Sequence, residues 1–353
     1  MNRAVVYSLL PLLVAGCGGD GGSATSGTVA VVSQGSPTPV PIATPTATPT
    51  PPTTVTPTPT PTPTATGFAA QAAAIYTAAP NIAGCQAGQL TTATTSAMLA
   101  NLNAIRALHR LPPVTYSAVD EAGAQQSALL QSANDSLSHT PPTTWKCYNQ
   151  TGATVSGQSN LYGGFGGGLG FNSDDAILAG WLTETNNVVV DSVGHRRWLL
   201  YPFLGSVAYG RVVGASPTST RADGAALKVF GSVGAGVANG TLPPYVAYPY
   251  EDYPARYFDT GSLMSFTVIA SSNVNSSANR TVNFAGATVS VRQRNGGAMT
   301  VSKVSYDNVG YGLANNLQWA VAGLQANTYY DVTITGVVVN GATQNYSYFF
   351  RVV

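Results

Sequence analysis

The sequence predicts an α+β protein with its helices in the first half and its strands in the second. Three observations carry this. Between residues 97 and 200, apolar residues recur at helical spacing behind capping residues. After about Gly240 the chain breaks into short β-branched or aromatic runs separated by Gly/Asn-rich turns. Asn340-Gly341, between Val337-Val338-Val339 and Tyr346–Val352, is the two-residue turn of a β-hairpin.

Taken in order, Leu99, Leu102, Ile105 and Leu108 share one helical face, and Pro112-Pro113 stops that helix. Ser117, with Asp120 three residues on, caps a second helix that runs to Ala133 and offers Leu129 and Leu130 as apolar contacts. A third helix opens near Ser173, with Asp174 and Asp175 at its positive end, and continues through Ile177 and Trp181 to Glu184. Short strands are expected over 206–213 and 227–233. Runs at 263–269, 288–292, 300–306, 317–321 and 329–334, together with the hairpin, predict a small all-β sandwich of immunoglobulin type. The Tyr/Pro-rich stretch Tyr245–Phe258 is either an interdomain surface or a loop.

The N-terminus carries a secretory signal, with Arg3 as its positive region, an apolar run from Ala4 to Leu13, and a small-residue exit. That run is shorter than the roughly 20 residues a bilayer span needs. The exit Leu13-Val14-Ala15-Gly16-Cys17 resembles the bacterial lipobox, which implies cleavage after residue 16 and diacylation of Cys17. Gly18, where an Asp favours inner-membrane retention, points to the outer membrane if the organism has two membranes. From Ser36 to Thr66 the chain is almost entirely Pro, Thr, Ala and Val, with too little to bury to offset the entropy of ordering. Alternating proline favours polyproline II, so these ~30 residues form a stalk reaching on the order of 90 Å. The expected organisation is signal peptide 1–16, lipidated cysteine and stalk 17–67, a mixed domain 68–235 and a β-sandwich domain 236–353.

Charged residues make up 8% of the 353, and the net charge is +1. With no basic stripe, nucleic-acid binding is not expected. Cys17 is assigned to lipid, leaving Cys85 and Cys147 of the three cysteines. In an exported protein the simplest state of that pair is a disulfide, the alternative being two buried thiols.

Three histidines narrow the search for chemistry. His109, beside Arg110 at the end of the first long helix, reads as a structural or surface group at a helix C-terminus. His139 follows Asp135-Ser136-Leu137-Ser138, and His195 lies in Gly194-His195-Arg196-Arg197-Trp198. Between them come Gly157-Gln158-Ser159-Asn160-Leu161 and Trp181-Leu182-Thr183-Glu184. These pieces, in this order, preceded by Leu102-Asn103-Ala104-Ile105-Arg106 and Leu111-Pro112-Pro113-Val114, resemble the CAP superfamily of cysteine-rich secretory, antigen 5 and pathogenesis-related-1 proteins. The resemblance covers roughly residues 97–210.

It implies an α–β–α sandwich with a cleft of two histidines and two acids, which in some members holds a divalent metal. His139 and His195 match the histidines and Glu184 one acid; the second acid position reads Gln158. Two imidazoles and a carboxylate are donors zinc accepts, so a metal on His139 and His195 is one expectation. Satisfied core histidines are the other. A glutamine cannot act as a general base near neutral pH, which weakens the acid–base equipment. A binding module for a lipid, an envelope component or another partner therefore ranks ahead of a metal-dependent hydrolase with Glu184 as its base. A purely structural envelope protein is the third reading. Arg196 and Arg197 are expected to brace the fold or, as a second reading, to meet an anionic ligand; Trp198 is expected to pack in the core and Gly163–Gly170 to form a flap. Ser138, next to His139, does not by adjacency make a nucleophile.

Overall fold

The computed structural model describes residues 67–185, 192–230 and 242–353. The signal, Cys17, the stalk and the expected boundary at 235/236 lie outside the described residues. The described chain belongs to one compact unit. None of its helices is long and apolar enough to cross a membrane.

The first half contains α1 (Phe68–Ala74), β1 (Tyr76–Ala78), β2 (Gln89–Leu90), α2 (Thr92–Leu108), β3 (Thr115–Tyr116), α3 (Ala118–Ala133), α4 (Gln150–Ser156), β4 (Ser159–Phe165), α5 (Asp174–Thr183), α6 (Gly194–Leu199), β5 (Ser206–Gly214) and β6 (Ala222–Lys228). Strands β3-β5-β6-β4 form the central sheet, antiparallel except for the short parallel β3–β5 pair. Helix α3 packs on β5 and β6, and α2 and α5 pack on each other, giving the layered α–β–α order. The contact of α3 with the sheet is backbone against backbone. A Cβ on Gly210 would sit 2.2 Å from the Ala124 carbonyl carbon, and one on Gly224 would sit 2.8 Å from the Ala128 oxygen. Only glycine permits that approach. Cys85 and Cys147 are disulfide-bonded across a sequence separation of 62, fastening the segment before α2 to the segment before α4.

The caps depart from expectation in detail. Ser173 accepts from the Ala176 N–H at 3.1 Å, as a capping residue should. The Ser117 hydroxyl instead donates to the Asp120 carboxylate at 2.6 Å and accepts no backbone N–H. Asp174 and Asp175 do start α5, but each has a partner beyond the helix dipole: Arg211 for Asp174, and the Tyr257 hydroxyl for Asp175. The expected flap is half strand, because Gly163 and Gly164 belong to β4 and pair with Gly224 and Asp223.

The second half contains β7 (Tyr245–Tyr248), β8 (Glu251–Tyr253), β9 (Met264–Val268), β10 (Thr288–Gln293), β11 (Val301–Asp307), β12 (Asn316–Val321), β13 (Tyr329–Val339) and β14 (Ala342–Val352). They form two four-stranded sheets, β10-β13-β14-β8 and β11-β12-β9-β7. Asn340-Gly341 turns the β13–β14 hairpin, both residues with the positive φ such a turn requires. One continuous apolar core runs from Leu102, Leu182 and Leu199 into Phe266, Trp319 and Phe350. The Tyr245–Phe258 stretch supplies β7 and β8 and packs against the end of α2, so it is a surface between the halves.

Candidate functional site

The segment Gly194-His195-Arg196-Arg197-Trp198 forms α6, and successive side chains leave it in different directions. Arg196 and Arg197 are fully buried and point toward the β half. Arg196 donates to the carbonyls of Leu182 (2.7 Å), Thr183 (3.1 Å) and Leu263 (2.7 Å), and to Ser265 Oγ (3.1 Å). Its guanidinium lies 3.8 Å from the Tyr248 ring centroid. Arg197 donates to the Leu313 carbonyl at 2.8 Å and forms an ion pair with Asp307. The expected bracing role holds, and what is braced is the joint between the halves.

His195 turns the other way. Its Nδ1 is 3.0 Å from Oε2 of Glu184, whose Oε1 accepts the backbone N–H of Arg196 at 3.1 Å. Glu184 ends α5 in the left-handed conformation (φ 61, ψ 12), which turns its carboxylate onto the start of α6. Asn160 Nδ2 donates to the His195 carbonyl at 3.1 Å. His139 reaches the same region from the loop after α3, with Nδ1 2.9 Å from the Ser156 carbonyl.

Both contacts fix a tautomer. A carbonyl or carboxylate oxygen can only accept, so each Nδ1 carries the proton, and each neutral ring keeps its lone pair on Nε2. His139 is held below the ordinary imidazole range, first by partial removal of water from its ring and further by the neighbouring His195. The Ser156 carbonyl acts in the opposite direction.

Gln158 lies midway along the segment that joins them, two residues after Ser156 and two before Asn160. Its carbonyl accepts from Val229 N (2.9 Å) and Phe230 N (3.2 Å). A metal would need donors beyond the two histidines. Among the described residues no group of three His, Cys, Asp or Glu side chains is placed to hold an ion. Glu184 is committed to His195 and to Arg196, as an orienting group behind a histidine. Among the described residues the set is therefore one protein ligand short of a catalytic zinc site.

Several supporting residues carry no local sequence signal. Gln131 is fully buried at the end of α3 and accepts from Ser138 N at 2.8 Å, fixing the residue before His139. Its amide also donates to Ser156 Oγ at 3.1 Å, which in turn meets Ser127 Oγ at 2.7 Å. Ser138 is held by its backbone, and its hydroxyl accepts from Thr140 N. Arg211 is buried between Asp223 and Asp174 and pins the start of α5 to the sheet. Trp198 is half-buried, with its ring against Phe230 and Tyr201. His109 is sealed at the joint, 3.0 Å from the Tyr253 hydroxyl, so it is structural and not a surface group.

Residues 99–221 match the family model of the cysteine-rich secretory protein family, CAP. The matched span takes in α2 from Leu99, the central sheet up to β5, and His139, Gln158, Glu184 and His195. The matched residues 99–221 mark a CAP domain, and a strand-rich region follows it. A search of curated proteins returned no match.

Proposed function

We propose that this protein is an envelope-anchored binding module whose CAP cleft grips a ligand without chemically transforming it. The observation that carries this is the commitment of Glu184. One carboxylate oxygen orients His195 and the other caps Arg196 N–H. The second acid position is Gln158, which cannot take up a proton near neutral pH. What remains is a pair of imidazoles with oriented Nε2 lone pairs, suited to accept hydrogen bonds from a ligand.

The anchor is Cys17 and the spacer is the Pro/Thr stalk, both read from the sequence motif and composition. They support a position outside the cytoplasm, at the outer membrane if the cell has two. The β half is read as an immunoglobulin-type sandwich. Its two four-stranded sheets and the parallel pairing of β8 with the final strand β14 support that.

The hydrolase reading keeps one favourable observation, the two Nε2 lone pairs. Incubating the purified chain with a peptide library, with and without added zinc, decides between the two. No turnover in either case, from protein shown to be folded, is the expected result. Zinc-dependent cleavage abolished by His195→Ala overturns the binding reading.

A further inference from the structure

We infer that the cleft takes a neutral saccharide, with Trp198, Phe230 and Tyr311 as its stacking surface and the two histidine Nε2 atoms as acceptors for its hydroxyls. This rests on the binding reading above and names the ligand class.

His195 and Trp198 are three residues apart on α6, so they share a helix face. The Trp198 ring meets Phe230 edge-on, with centroids 4.1 Å apart and planes at 82°. Phe230 is 38% exposed, although its own backbone N–H is fixed to the carbonyl of Gln158 between the two histidines. Behind the indole lies Gly312 of the β half. A Cβ there would sit 2.8 Å from Trp198 Cε3, and its φ of +68° also favours glycine. Bare backbone therefore buttresses the indole. Tyr311, the next residue back, is 39% exposed and lies against Gly194, where a Cβ would be 3.7 Å from its Cγ. Three aromatic rings from three separate segments thus gather around the short helix that carries His195.

The charges define what these rings can meet. Arg196 and Arg197 are spent on carbonyls and on Asp307, and Glu184 on His195 and Arg196. The helix therefore offers an anionic ligand no uncommitted cation, and a neutral one fits. Half-exposed rings beside hydrogen-bond acceptors suit a molecule with C–H faces and hydroxyl edges, which describes a sugar ring.

The test is isothermal titration of the full-length protein with neutral β-1,4-linked hexasaccharides of glucose and of N-acetylglucosamine. A galacturonate hexasaccharide and palmitate serve as the anionic and acyl probes. Saturable binding of a neutral hexasaccharide is expected. Phe230→Ala and Tyr311→Ala should each weaken it about tenfold. Because both rings are over a third exposed, melting temperatures should stay within about 2 °C of the parent. Absence of saturable neutral-saccharide binding, or binding indifferent to both substitutions, overturns the inference. If galacturonate or palmitate binds instead and is lost in His139→Ala, the saccharide inference fails and the binding reading stands. Zinc-dependent peptide turnover removes both.

Discussion

His109 at the joint and His195 in the cleft are the same residue type on neighbouring helices, with opposite fates. His109 is 2% exposed, stacked on Tyr248 at 23° and bonded to the Tyr253 hydroxyl. Burial pushes its pKa down to about 3, with the charges of Arg196 and Arg106 adding to the effect, so it stays neutral and inert. His195 spends Nδ1 on Glu184, which leaves the ring's lone pair on Nε2. Reactivity at these rings therefore follows from which nitrogen remains uncommitted and reachable. Helix α6 serves both regions, since Arg196 clamps the joint while its backbone N–H holds the carboxylate that aims His195.

Breaking the joint should have the largest effect. Arg196→Met would strand the carbonyls of Leu182, Thr183 and Leu263, and about 3–5 kcal/mol of stability should be lost in urea unfolding. Retention of full stability would mean that the buried guanidinium does not hold the halves together.

Acid should act next. The folded pKa of His109 lies below its ordinary 6.5, so the unfolded chain takes up the proton first. The stability this group contributes is complete above pH 6.5 and is lost as the pH falls toward 3. Between pH 7 and 4.5 the loss assigned to it is about 2–3 kcal/mol. His109→Phe should lose that much less stability over the same interval; an unchanged pH slope would refute the sealed-ring account.

In the cleft the effects are smaller and more local. Gln131→Ala, which frees Ser138 N, should cost about 2 kcal/mol and shift the His139 resonances while leaving those of His109 in place. Glu184→Gln should cost about 1 kcal/mol and turn the His195 ring to its other tautomer, because an amide N–H facing Nδ1 needs an acceptor there. Identical His195 nitrogen shifts in parent and variant would show that the carboxylate does not orient the ring.

Much of this was legible in the sequence. Leu102 and Ile105 at helical spacing gave the buried face of α2, and Asn340-Gly341 gave the hairpin. Glu184 and His195, both singled out by the ordered motifs, are hydrogen-bonded, and the cysteine pair is bonded as the simplest reading had it. What stayed hidden depends on contacts between distant elements. Gly210 and Gly224 look like strand interruptions until α3 lies on them. Arg211 and Asp223 become a buried ion pair only through the β5–β6 register, which sets them diagonally across neighbouring strands. Gln131 is one glutamine among several until its fold-back onto Ser138 is seen. The depth of His109 could not be read either, because the cover comes from Tyr248 and Tyr253, about 140 residues away.

The account turns on the claim that both cleft imidazoles are held with the proton on Nδ1 and the lone pair on Nε2. Nitrogen-15 long-range correlation NMR of the histidine side chains, at a pH where the rings are neutral, reads this directly. The predicted result is the Nδ1–H tautomer for both His139 and His195. An Nε2–H tautomer at either ring would contradict the account, since the nitrogen assigned to the ligand would then carry a proton.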